Sequence, residues 1–198
     1  VVEEICKRAT SCEQIFLTCF ETNPDFLPML NDNLERIRKK AKHDYDVKLF
    51  VTVYEENYIV DSKNHYTVTF FDTVEDKYDI IICNPPTEFY GKYSEEALTA
   101  GGVSLVKINA AFLFAKMAAK HLEEDGRLVI ILPITYATAA ELSTLRKEMA
   151  KSLSINRIHL FIGKQKNLKR AVPLKKNFII SYEKGEKSGS IQITTSTD

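Results

Sequence analysis

The chain has 198 residues, 44% hydrophobic and 27% charged, a balance typical of a globular domain with a core of real size. Its 27 Lys and Arg offset its 27 Asp and Glu, so the whole-chain field draws it toward neither nucleic acid nor an anionic membrane, although a local basic patch stays open. No apolar run is long enough to span a bilayer and none reads as a signal peptide. The four cysteines, Cys6, Cys12, Cys19 and Cys83, lack CxxC spacing and a histidine cluster, which argues against zinc and for a reducing, cytoplasmic compartment.

The opening "VVEEICKRA" is already in helical rhythm, with no methionine and no cap before it, and reads as cut from something longer. Val1, Val2 and Ile5 mark its apolar side. "IFLTCFE" (15–21) is a short strand ending on an acid. Leu27, Leu30, Leu34, Ile37 and Ala41 then recur at helical spacing, with Asn23 or Asp25 as cap and Pro28 tolerable in the first turn. "VKLFVTV" (47–53) is a second strand, and "TVTFFD" (67–72) a third or an excursion. "YDIIIC" (78–83) is the best strand in the chain. A helix follows on Ile108, Ala111, Phe112, Ala115, Ala119 and Leu122. "DGRLVIILP" predicts a turn and an apolar strand at 127–132. Leu142, Leu145, Met149 and Leu153 mark another helix. "INRIHLFI" (155–162) and "NFIISYE" (177–183) predict an antiparallel pair, and "SIQIT" (190–194) one more strand. Strands alternating with helices predict a doubly wound α/β sheet, and continuous apolar strands predict cover on both faces.

Ligands of such sheets bind at the carboxyl ends of strands. The first strand ends in Glu21, a carboxylate able to accept bonds from two ribose hydroxyls or to sit as a solvated acid by a helix start. The strand at 78–83 ends in Asn84-Pro85-Pro86. Proline lacks a backbone donor and pushes the residue before it to extended geometry. Asn84 is thus held stiffly, and its side-chain oxygen and the Pro85 carbonyl form a rigid acceptor pair for both protons of an exocyclic amine. The alternative is a plain strand-terminating turn. Lys164, Lys166, Lys169, Arg170, Lys175 and Lys176 could meet phosphates or line a solvated hairpin loop. His43, His65, His121 and His159 are scattered and carry no assigned role.

"DIIICNPPT" resembles motif IV, usually N-P-P-aromatic, of the amino-methyltransferases that use S-adenosylmethionine. The order around it is similar to that of the N6-adenine DNA methyltransferases of bacterial restriction-modification systems. "CFETNPDFLPML" resembles their motif II. "INAAFLFAKMAAKHLEEDGRLVIILPITY" looks like the helix, glycine turn and strand after motif IV, and "LRKEM…INRIHLFIGK…KKNFIISYEKG" like the closing helix and antiparallel strands. The likeness covers nearly the whole chain. It implies a Rossmann-like methyltransferase fold, mostly parallel, with an antiparallel hairpin at the C-terminal end. It implies one catalytic domain over 1–198 that lacks motif I, the first strand, between the strands at 15–21 and 78–83, and a target-recognition region. Strand exchange or dimerisation is one way such a gap could close.

The resemblance further implies that S-adenosylmethionine is the cofactor, double-stranded DNA the partner, and a flipped adenine the substrate, its amine bound by Asn84 and Pro85. Glu21 takes the ribose position. The acid that meets the cofactor's adenine falls on Asn57, by position, or on Asp72, by chemistry. Thr87 stands where the family has an aromatic that stacks on the base, and Phe89 or Tyr90 could replace it. Acting on protein glutamine or ribosomal RNA guanine, or serving as an inactive binding domain, are the alternatives.

Overall fold

The computed structural model describes residues 1–8, 11–64, 66–68, 73–102, 105–162, 177–185 and 189–197. The chain divides into two compact units, Val1–Ser62 and Lys63–Asp198.

In the first unit, α1 (Val2–Arg8) precedes β1 (Gln14–Phe20), and a single 3₁₀ turn at Pro24–Phe26 leads into α2 (Leu27–Tyr45). β2 (Lys48–Tyr54) and the short α3 (Tyr58–Asp61) follow. Strands β1 and β2 pair in parallel, from Gln14 opposite Lys48 to Phe20 opposite Tyr54. A parallel pair needs a crossover, and α2 supplies it. Asn23 caps the 3₁₀ turn by accepting from the Asp25 N–H. Asp46 ends α2 in the left-handed region, φ 55°, where Asp is better tolerated than most residues. Val2, Cys6, Ala41, Val47 and Leu49 form the core, flanked by Ile15, Leu17, Ile37, Tyr45 and Val51.

Two expectations are corrected here. The buried stripe of α1 is Val2 and Cys6, four apart, while Val1 precedes the helix and is exposed. The sheet is not covered evenly on both faces: α1 and α2 pack on one, whereas on the other Phe16 stacks on Phe50 at 5.0 Å and the two rings stay 74% and 48% exposed, while Phe20, toward the strand ends, meets Tyr58 of α3.

The second unit begins with a small antiparallel pair, β3 (Tyr66–Val68) and β4 (Thr73–Glu75). Then come β5 (Tyr78–Cys83), β6 (Phe89–Gly91), α4 (Glu95–Thr99), β7 (Lys107–Asn109), α5 (Ala110–His121) and β8 (Leu122–Pro133). The rest is α6 (Thr135–Thr138), a 3₁₀ turn at Ala140–Leu142, α7 (Ser143–Ser152), β9 (Leu153–Ile162), β10 (Asn177–Lys184) and β11 (Gln192–Thr197). Five strands form one sheet in the order β11-β9-β10-β8-β5. Only β10 runs against its neighbours, β8 and β9; β5 with β8 and β11 with β9 are parallel. The predicted mostly parallel sheet with an antiparallel C-terminal hairpin is therefore what forms.

The core of this unit lies where α5 meets β8 and β10. Leu113, Met117, Leu122, Leu128, Ile130, Leu132, Ile180 and Tyr182 are almost fully enclosed. β5 is the outer strand of the sheet, and its Ile80 and Ile82 are 46% and 50% exposed. A continuous apolar run thus does not mean burial on both faces here, because burial depends on what packs over each face and not on the run itself.

β8 also differs from its expected span of 127–132. It begins at Leu122, directly after α5, and the turn residues are folded into it as an irregularity opposite Tyr78–Ile80. Asp125 has φ 61°. A Cβ on Gly126 would lie 2.7 Å from the Glu123 carbonyl oxygen and 3.2 Å from that of Asp79. Both are backbone atoms and cannot swing aside. Gly126→Ala is expected to cost about 1–3 kcal/mol, the usual range for overpacking. A thermal melt lowered by several degrees checks this.

Candidate active site

Each unit carries part of the predicted set at the carboxyl ends of parallel strands. In the second unit, β5 runs beside β8 with Cys83 opposite Ile130, and Asn84 is the next residue. Asn84, Pro86 and Thr87 are exposed, and Pro85 is half-buried. The Asn84 carboxamide therefore stands at solvent at the end of a strand. Pro85 and Pro86 have no N–H, which removes two local donors from around these carbonyls. Burial pushes the Cys83 thiol up to about 12, so the side chain next to Asn84 is a neutral thiol near pH 7.

The segment after Asn84 is tied down at its far end. The Ala110 N–H donates to the Glu88 carbonyl at 2.9 Å, and the Asn109 amide nitrogen donates to the Thr87 carbonyl at 3.3 Å. β6 pairs with β7, Phe89 opposite Asn109 and Tyr90 opposite Ile108. Phe89 presents its ring to solvent, 65% exposed. The Tyr90 hydroxyl instead donates to the Glu88 carboxylate, and burial together with that acid pushes the phenol well up. Of the two aromatics considered in place of Thr87, Phe89 is the one whose ring lies open.

Beyond β8, the Arg146 guanidinium donates to the carbonyls of Tyr136 (2.7 Å) and Ala139 (2.9 Å), holding the α6 turn. The Tyr182 hydroxyl donates to that of Tyr136 at 2.8 Å inside the core, and Tyr136 lies between the rings of Phe112 and Phe178. Neither Arg146 nor Asn109 was singled out from the sequence. An Asn directly before an alanine-rich apolar run is a helix-start signal that could have found the second.

In the first unit, Glu21 follows β1 and its N–H donates to the Tyr54 carbonyl at 3.0 Å. Its Oε1 accepts from the Asn23 N–H at 2.7 Å, which orients the carboxylate. Phe20 beside it meets Tyr54 and Tyr58, both at 5.2 Å between ring centres. Asn57 lies just past β2 and caps α3, its Oδ1 accepting from the Ile59 N–H at 3.0 Å while its own N–H donates to Asp61. Glu21 and Asn57 thus stand at the ends of neighbouring strands. Asp72 and the basic residues between Lys164 and Lys176 lie outside the described residues.

This mixed, mostly parallel sheet, with the predicted site residues at the carboxyl ends of parallel strands, has the fold of class I S-adenosylmethionine-dependent methyltransferases. A Listeria monocytogenes structure described as such an enzyme superposes with a TM-score of 0.58 at 12% identity, covering 98% of this chain and 61% of that one. The type IIG restriction endonuclease BpuSI gives 0.57 at 13% identity, over 98% of this chain and 25% of that one. A sequence profile of the Eco57I restriction-modification methylase matches residues 4–167, and the chain belongs to that family. It is similar to the type II methyltransferase M.PstI of Providencia stuartii, 25% identical over 174 residues, 88% of this chain and 34% of the relative. It is also similar to M.BsuBI of Bacillus subtilis, 27% identical over 119 residues, 59% of this chain and 23% of that protein. The chain spans about a third of the first relative's length and under a quarter of the second's. Among the described residues no helix is long and apolar enough to cross a membrane.

Proposed function

We propose that the chain carries catalytic residues of a cytoplasmic restriction-modification enzyme that moves a methyl group from S-adenosylmethionine to the N6 amine of adenine in double-stranded DNA. The observation that carries this is Asn84: an exposed carboxamide at the end of β5, stiffened by Pro85 and Pro86. An adenine amine cannot be reached inside the stack, so the base is flipped out to this edge. The Asn84 oxygen and the Pro85 carbonyl accept its two protons. Those bonds fix the nitrogen and leave its lone pair facing the methyl donor. Positioning and preorganised acceptors supply the catalysis. The surplus amine proton passes to water at this exposed edge.

When bound, S-adenosylmethionine supplies an electrophilic methyl group. The Glu21 carboxylate fits its ribose: a preoriented anion at a strand end, suited to two hydroxyl donors. Asn57 or Asp72 would meet its adenine, and residues 1–198 act as one catalytic domain. The test is to incubate the native protein with unmethylated DNA and tritiated cofactor, then separate the nucleosides. Label in N6-methyladenine supports the reading. Label in cytosine, in ribosomal RNA or in protein alone, or none at all, contradicts it.

Thr87 leaves the base without its expected stacking partner, a contact worth about 1–3 kcal/mol by alanine substitution. Phe89 is the exposed ring nearest in sequence to fill that place. Thr87→Tyr is expected to raise kcat/KM on DNA about fivefold or more, measured by the same label transfer. An unchanged rate would mean that Phe89 already stacks on the base.

A further inference from the structure

We infer that Asn109 is the positioning residue for the Asn84–Thr87 edge, acting through the Thr87 carbonyl. This rests on the reading of Asn84 as the amine-binding group. The prolines at 85 and 86 remove two consecutive donors, so the segment cannot be held by a hydrogen-bond ladder of its own and is fixed from its ends. One end is β5. The other is the first turn of α5, where Asn109 makes two bonds with one buried amide. Its Oδ1 accepts from the Ala111 N–H at 2.9 Å, and its Nδ2 donates to the Thr87 carbonyl at 3.3 Å. Only this orientation of the amide satisfies both partners, since the reverse would set oxygen against carbonyl and N–H against N–H. The Ala110 N–H binds the next carbonyl, that of Glu88, at 2.9 Å. Two successive carbonyls are thereby referenced to a helix whose Ala110, Ala111, Leu113, Ala115 and Ala118 are enclosed, a frame that moves little.

The two halves of the Asn109 amide can be separated. Asn109→Asp and Asn109→Ser both keep an oxygen to cap α5, and both lose the donor to Thr87. Asn109→Ser is expected to keep a melting temperature close to native, and Asn109→Asp, which sets a buried carboxylate against the Thr87 carbonyl, to melt lower while α5 stays formed. Amide exchange over Thr87–Tyr90 is expected to speed about tenfold or more while α5 stays protected. On DNA, kcat is expected to fall about 10–100-fold with the cofactor KM within about twofold, because a misplaced edge slows chemistry and leaves cofactor binding alone. Native exchange at 87–90 in both variants, or loss of α5 protection in step with the loop, would overturn the assignment and leave Asn109 a helix cap. Faster exchange at 87–90 in a protein whose native form methylates no DNA would uphold the tether and overturn the functional reading.

Discussion

Asn84→Ala is expected to lower the rate of methyl transfer to DNA by about 10²–10³-fold, the size of losing one preorganised hydrogen-bonding group at a reacting centre. Asn84 is exposed and follows β5, so its side chain adds little to the core, and the variant should melt with the native protein. The loss should fall on kcat, since the amine is gripped most strongly as its nitrogen becomes electrophile-bound. Asn84→Asp keeps acceptors at the same place and should retain more activity than alanine. Single-turnover label transfer with both variants checks the order. Equal rates for native protein and alanine variant would remove Asn84 from the chemistry.

Glu21→Ala is expected to weaken S-adenosylmethionine binding by about 10–100-fold, read by calorimetric titration. Hydrogen bonds to a charged group are worth about 1.5–3 kcal/mol, and one such bond is a factor of about ten or more. Alanine also frees the Asn23 N–H, and Asn23 in turn caps the Pro24–Phe26 turn, so a small loss of stability accompanies it. Glu21→Gln separates the two effects: it keeps an acceptor for Asn23 but presents a neutral amide to the ribose. Its cofactor affinity should fall while its melting temperature holds. An affinity unchanged in both variants would leave Glu21 as a local cap and nothing more.

Much of the fold was legible because its strands carry concentrated signals. "YDIIIC" begins and ends as observed for β5, and the antiparallel pairing of β9 and β10 follows from two apolar runs near the C-terminus. Helix α2 was legible from period, and its capping region from Asn23. Cover on both faces was not legible, because apolar runs report what a strand can bury and not how many helices reach it: Phe16, Ile80 and Ile82 stay open. The Asp125–Gly126 irregularity reads in sequence as a turn, and only the register of β5 against β8 absorbs it into a strand. The places of Asn84, directly after β5, and Glu21, directly after β1, were legible too, while their roles rest on the experiments above. Asn109 and Arg146 act through backbone carbonyls distant in sequence, 22 residues away for Asn109 and 7 and 10 for Arg146, and such partners leave no trace in local spacing. The pairing of Tyr136 with Tyr182, 46 residues apart, is hidden for the same reason.

The most direct measurement compares DNA carrying adenine with DNA carrying purine, which lacks the 6-amino group, at the methylated position. Native protein and Asn84→Ala are titrated with both in the presence of a non-reactive cofactor analogue. The cycle cancels differences in the ease of flipping the two bases. If Asn84 and Pro85 hold the amine, the native preference for adenine over purine exceeds that of the variant by about fivefold or more, the worth of about one net hydrogen bond. An identical preference in the two proteins would show that this carboxamide does not touch the amine.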